Sequence, residues 1–119
     1  MENRAKKAAN DLIDALIAGN VEKIENLLCD DCKIHLPFAT EYGIHLESKL
    51  EALEYLKTNF GQPTCEEIID RKSVASDETH AVVNFKGKLN KIKYEDKVYE
   101  YCVFCEVDQG KIKELYAII

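Results

Sequence analysis

The sequence predicts an α+β fold, with helices laid across one side of an antiparallel sheet, and three observations predict it. The last third alternates apolar and polar residues over three successive segments, His80–Lys93, Lys97–Val107 and Lys111–Ile119, the period of half-buried antiparallel strands. The N-terminal half instead repeats apolar residues at helical spacing in three stretches. The helical and strand-like segments are segregated along the chain, which is the order of an α+β layer structure and not of alternating βα units.

Taken in order, residues 3–18 read as a helix. Ala5, Ala8, Ala9, Leu12, Ile13, Leu16 and Ile17 form its apolar face, opposite Lys6, Lys7, Asn10, Asp11 and Asp14. Gly19 stops it and Asn20 caps a short second helix through Val21, Ile24, Leu27 and Leu28. Asp30-Asp31 breaks the pattern. Cys32, Ile34 and Leu36 then alternate with Lys33 and His35 as a short strand closed by Pro37. Phe38 to His45 is a loop with a brief return strand near Ile44. Ser48 and Glu51 form a capping box for a third helix that faces Leu50, Leu53, Leu56 and Phe60 to the core and ends at Gly61 and Pro63.

Glu66 to Ala75 is strand-like, but Ile68, Ile69 and Val74 share no clear face. Ser76-Asp77-Glu78 turns the chain into the closing meander, whose first strand sets Ala81, Val83, Phe85 and Leu89 against Asn84, Lys86 and Lys88. Glu95-Asp96-Lys97 is a polar break. Asp108-Gln109-Gly110 supplies the glycine of a three-residue hairpin loop. Along the strand between these two turns, from Tyr99, the inward positions are Tyr99, Tyr101, Val103, Cys105 and Val107.

The chain has 119 residues, 46% hydrophobic and 32% charged, which predicts one ordered domain over 1–119 with a core of its own. Its 16 basic and 22 acidic residues give a formal charge of −6, a surface that repels phosphate backbones and anionic lipids; nucleic acid and membranes are excluded as partners. The N-terminal residues lead into an amphipathic pattern with no apolar signal core, and the five cysteines are an odd number, so a cytoplasmic protein without a disulfide framework is expected.

Three segments together resemble the nuclear transport factor 2-like superfamily, which includes SnoaL-like polyketide cyclases and ketosteroid isomerases. They are Asp14-Ala15-Leu16-Ile17-Ala18-Gly19-Asn20 running into Val21 and Leu27-Leu28, then Asp30-Asp31-Cys32-Lys33-Ile34-His35-Leu36-Pro37, and the hairpin Val107-Asp108-Gln109-Gly110-Lys111-Ile112. The resemblance implies a cone-shaped, curved antiparallel sheet with three helices packed on its concave face and a pocket between them. It also implies a homodimer through the outer face of the sheet, to which Cys102, Phe104, Ile112, Tyr116 and Ile118 would contribute apolar surface. Where ketosteroid isomerases place their base, tyrosine and acid, this chain has Leu36, Leu12 and Val103 (or Cys102). The epoxide-hydrolase branch needs an arginine between aspartates, and the arginines here are Arg4 and Arg71.

Cys29-Asp-Asp-Cys32 and Cys102-Val-Phe-Cys105 have the spacing of zinc knuckles, but strand residues three apart point to opposite faces and no glycine folds the backbone around an ion. Buried structural cysteines are expected, with no metal and no cofactor. His35 is the acid–base candidate by intrinsic chemistry, yet its parity opposes Ile34 and Leu36. Asp31 is the second candidate. His45 and His80 have no partner visible in the sequence. Tyr42, Tyr55, Tyr94, Tyr99, Tyr101 and Tyr116 offer hydroxyls that suit a flat hydrophobic molecule with one polar handle where they face the cavity.

The expected function is therefore binding of a small hydrophobic molecule in an apolar pocket lined by Leu12, Leu16, Ile34, Leu36, Phe38, Leu53, Val83, Phe85, Tyr101 and Val103. The alternative is a SnoaL-like isomerase, cyclase or dehydratase working through His35, a tyrosine or Asp31. A protein-interaction module using the dimer face or the pocket rim is the third reading.

Overall fold

The structure, a computed structural model, describes residues 3–36, 43–60, 65–89 and 99–118, and of residues 59, 60, 65–67, 88, 89 and 99 the backbone alone. The described residues form helices α1 (Arg4–Ala18), α2 (Val21–Leu27) and α3 (Lys49–Phe60), and strands β1 (Leu28–Leu36), β2 (Ile44–Leu46), β3 (Cys65–Ala75), β4 (His80–Leu89), β5 (Tyr99–Asp108) and β6 (Lys111–Ile118). The strands make one curved sheet in the order β2-β1-β6-β5-β4-β3. Helices pack on its concave side. The α+β architecture is that expected, with one difference: β1 runs parallel to β6, so the sheet is mixed.

Caps fix the helices. Asn3 accepts a hydrogen bond from the Lys6 N–H to start α1, Gly19 ends it at φ 70°, and Asn20 accepts from the Lys23 N–H to start α2. The buried stripe of α1 is Ala5, Ala8, Ala9, Leu12, Ile13 and Ala15, whose alanines let the helix lie close to the sheet. Its N-terminus is tied to the β3–β4 turn: the Arg4 N–H donates to the Glu78 carboxylate (2.8 Å) and the Asn3 amide donates to the Asp77 carbonyl (3.0 Å). Arg71 of β3 pairs with Asp14 of α1 at 2.8 Å.

At α3 the Glu51 N–H donates to the Ser48 hydroxyl (3.2 Å), while the Glu51 carboxylate accepts from the Glu47 N–H (2.7 Å), one residue earlier than a reciprocal capping box requires. Leu50 does not face the core. It is 78% exposed, because at about 100° per residue the inward face holds Ala52, Leu53 and Leu56.

Irregularities in the ladders account for the other departures. Asp30 and Asp31 do not end a pattern but lie inside β1, where the register against β6 shifts between Leu28 and Lys33. Asp70, at φ 53°, sits in a register shift between Ile69 and Lys72, a bulge that reverses the side-chain parity of β3. That is why Ile68, Ile69 and Val74 follow no single face. The β5–β6 turn has two residues rather than three, Gln109 at φ 51° and Gly110 at φ 81°, closed by the Asp108–Lys111 pair. Another shift at Glu106/Val107 turns Ile112 inward, where it is fully buried. Ile112 therefore belongs to the core and not, as expected, to the outer face. The polar break at Glu95-Asp96-Lys97, the stop at Gly61 and Pro63, and the loop from Pro37 to Tyr42 lie outside the described residues.

Candidate functional site

Alternation along each strand separates two surfaces. The concave one is apolar. Ile34 and Leu36 of β1, Val83 and Phe85 of β4, Tyr101 and Val103 of β5 and Leu12 of α1 are all buried and belong to one hydrophobic cluster. Leu16 and Leu53 are half-buried against it, and Phe38 lies outside the described residues. The Phe85 and Tyr101 rings stack with centroids 5.1 Å apart, and the Tyr101 hydroxyl oxygen is itself buried. Asn84 donates to the Tyr101 carbonyl at 2.9 Å and holds this part of β5.

Burial is uneven along the cone. Leu28, Val83 and Ile112 are completely covered, while Leu36, Phe85 and Val103 keep 7% of their surface and Leu46 keeps 9%. Leu36 and Phe85 lie toward the end of the sheet where β1 finishes and β4 leaves, while Val103 pairs directly across with the fully buried Val83. Since the start of α1 is tied to the opposite end, Leu12 and Leu16 approach this end too. The positions at which the resemblance to ketosteroid isomerases would put proton-handling groups, Leu36, Leu12 and Val103, are part of this same apolar wall.

The two acid–base candidates lie elsewhere. Asp31 is exposed to solvent on β1. His35 presents its ring on the convex face, stacked on Tyr116 with centroids 4.3 Å apart. Its Nε2 meets the Glu114 carboxylate at 2.9 Å and its Nδ1 meets Nδ1 of His45 at 2.7 Å. His45 and Glu114 were missed as partners. The β1–β2 pairing sets position 35 directly opposite 45, and the apolar residues on either side, Ile34, Leu36, Ile44 and Leu46, were the signal for it.

The convex row continues. Glu114 pairs across strands with Glu106, and His80 lies 3.5 Å from Glu106 and 3.3 Å from Asp77. Hydrogen bonds donated first by the Thr79 hydroxyl and N–H, and then by His80, hold the Asp77 carboxyl down at about 2. Beside the row, Val74, Val82, Phe104 and Tyr116 floor a groove of about 390 Å³.

His35 uses opposite ring nitrogens for Glu114 and His45, so those groups do not converge on one point. Among the described residues no three His, Cys, Asp or Glu side chains are placed to hold a metal ion. Cys102 and Cys105 fall on opposite faces of β5, with Cys105 buried and Cys102 half-buried. Burial pushes the Cys105 thiol up to about 12, and burial, helped by Cys29 and Asp31, pushes Cys32 up to about 11. Neither thiol is a nucleophile near neutrality.

No protein-family model matches the sequence, and no curated protein does. Solved structures do. An LEH-like epoxide hydrolase from M. tuberculosis is 16% identical, with 96% of this chain and 80% of that one covered, at a TM-score of 0.74. A steroid delta-isomerase from Pseudomonas aeruginosa is 15% identical over 99% of this chain and 80% of that one, at a TM-score of 0.71. An NTF-2 like protein of unknown function from Burkholderia xenovorans is 14% identical over 97% and 81%, also at 0.71. The fold is that of nuclear transport factor 2. At these identities the likeness carries the backbone and not the chemistry. In this nuclear transport factor 2-like chain Arg71 on β3, one of the two arginines of the sequence, pairs with Asp14 of α1 at 2.8 Å.

Proposed function

We propose that this chain binds a small, predominantly hydrophobic molecule between α1, α3 and the concave face of the sheet, and that it does so without a metal or cofactor. The observation that carries the reading is the apolar concave wall itself, in which the Phe85 and Tyr101 rings stack. Leu12, Leu16, Ile34, Leu53, Val83 and Tyr101 complete the wall, with Phe38 as a further contributor. For an isomerase, cyclase or dehydratase, His35 and Asp31 lie outside this wall, and the Tyr101 hydroxyl is the group within it that such an enzyme would use.

The same reading takes the protein as a cytoplasmic homodimer joined through the convex face. Val74 (65% exposed), Phe104 (42%), Tyr116 (45%) and Ile118 form apolar surface there that a second copy would cover. Among the described residues no helix is long and apolar enough to cross a membrane.

A naphthalene-sulfonate dye, whose fluorescence rises in apolar surroundings, tests the pocket. One saturable site per chain is expected. Leu53→Trp, which fills the concave rim, weakens it about tenfold or more, and Phe104→Glu on the convex face leaves it unchanged. Dye binding that follows Phe104 and ignores Leu53 would overturn the proposal.

A further inference from the structure

At the β1–β2 edge of the sheet the ladder sets His35 directly opposite His45. The two rings meet nitrogen to nitrogen, Nδ1 to Nδ1 at 2.7 Å, with centroids 5.0 Å apart and planes at 63°. His35 is held from two further sides: its Nε2 lies 2.9 Å from the Glu114 carboxylate, and its ring stacks on Tyr116. An ionised carboxylate only accepts, so in the neutral ring Nε2 of His35 carries the hydrogen and Nδ1 presents a lone pair. His45 donates its own Nδ1–H to that lone pair. Moving one hydrogen within the His45 ring, from Nδ1 to Nε2, leaves lone pairs on both of these neighbouring atoms.

We propose that His35 and His45 form a two-nitrogen clamp for a divalent transition-metal ion, bound through both Nδ1 atoms, with Glu114 as the carboxylate that orients the His35 ring. An imidazole that ligates a metal usually donates its other ring N–H to a carboxylate or carbonyl, which fixes its tautomer and strengthens it as a donor. Glu114 stands in that place. Because it holds the far nitrogen of His35, it is a positioning residue and not a ligand.

The spacing also selects the ion. Two imidazole nitrogens about 2.0–2.1 Å from one ion stand about 2.9 Å apart at a right angle and about 3.3 Å apart at the tetrahedral angle. The 2.7 Å of this pair is close to the first value. Ni(II) and Cu(II), which favour tetragonal geometry, therefore need a smaller opening of the pair than tetrahedral Zn(II). Water fills the remaining positions, since His45 is exposed and, among the described residues, no third His, Cys, Asp or Glu completes a cluster. Net charge does not carry the site: Glu51 and Glu54 line a groove with His45, but Lys33 stands opposite Glu114 across β1 and β6 and offsets them. The coordination bonds carry it. Their structural effect falls on β2, an edge strand of three residues that reaches the sheet only through β1. The concave wall takes no part, so the clamp stands or falls independently of any ligand bound there.

Isothermal titration calorimetry of the full chain with Ni²⁺, and separately with Zn²⁺, in a non-coordinating buffer at about pH 7.5 tests this. One Ni²⁺ per chain is expected, bound more tightly than Zn²⁺. His45→Gln is expected to weaken Ni²⁺ binding about tenfold or more and Glu114→Gln about tenfold, while His80→Gln on β4 leaves it unchanged. Hydrogen exchange at the β2 amides should slow when Ni²⁺ is added to wild type and not when it is added to His45→Gln. Absence of saturable binding overturns the clamp. So does Ni²⁺ binding that survives His35→Gln combined with His45→Gln, as binding through the thiols would. Tighter binding of Zn²⁺ than of Ni²⁺ overturns the tetragonal assignment.

Discussion

Gln109 occupies a backbone conformation that few side chains accept. It is the first residue of the two-residue β5–β6 turn, at φ 51°, and its partner Gly110 is at φ 81°. Both central positions of this turn type need positive φ, and asparagine tolerates it best among residues with a side chain. Gln109→Asn is expected to raise stability by about 0.5–1 kcal/mol in urea denaturation, and Gln109→Val to lower it by about 1 kcal/mol or more. Asp77 gives a second test at this scale. Its carboxyl drops from 3.8 to about 2 because Thr79 and His80 donate to its ionised form. A depressed carboxyl contributes stability that is present above the unfolded value and lost as pH falls through the folded one. Circular dichroism during acid titration should show wild type losing stability between about pH 4 and about pH 2 in a step that Asp77→Asn lacks. At this scale the caps were legible, since Gly19, Asn20 and Ser48 act locally on their own helices. The partners of His35 were not, because Glu114 comes from the far end of the chain.

The helix α3 shows where pattern reading goes wrong within an element. Leucine at 50, 53 and 56 looks like one stripe, yet Ala52 is the residue that packs and Leu50 the one that does not. Small residues carry little weight in a hydrophobic pattern although they mark the closest approach of a helix to its neighbour. Leu56→Ala is expected to cost about 2–4 kcal/mol in chemical denaturation, and Leu50→Ala less than about 0.5 kcal/mol. The strands failed for a different reason. Alternation predicts faces only while the ladder is regular, and the bulges at Asp70 and between Glu106 and Val107 each reverse it. Ile112 and Val74 were unreadable on that account, whereas Ala81, Val83, Phe85 and Tyr101, in the regular β4–β5 ladder, were read correctly.

For the whole molecule, element order alone was enough to reach the fold class, because helices gathered at one end and a meander at the other admit few layered arrangements. The sheet order was not contained in that reasoning: nothing local in Leu28–Leu36 says that its neighbour is Lys111–Ile118. What the concave wall holds is a matter for titration. A hydrophobic ligand present at a hundred times its dissociation constant should raise unfolding free energy by about 2.7 kcal/mol, measured as an upward shift of the thermal midpoint that Leu53→Trp removes.

The parallel contact between β1 and β6 also sets an order of assembly. The ladders β3–β4, β4–β5 and β5–β6 join segments adjacent in the sequence, so they close at modest entropic cost. The β1–β6 contact spans most of the chain, and β2 reaches the sheet only through β1. The meander is then expected to form first and the β1–β2 hairpin to dock onto it last. In native-state hydrogen exchange the amides of β1 and β2 would open below the global unfolding free energy, and those of β5 only with it.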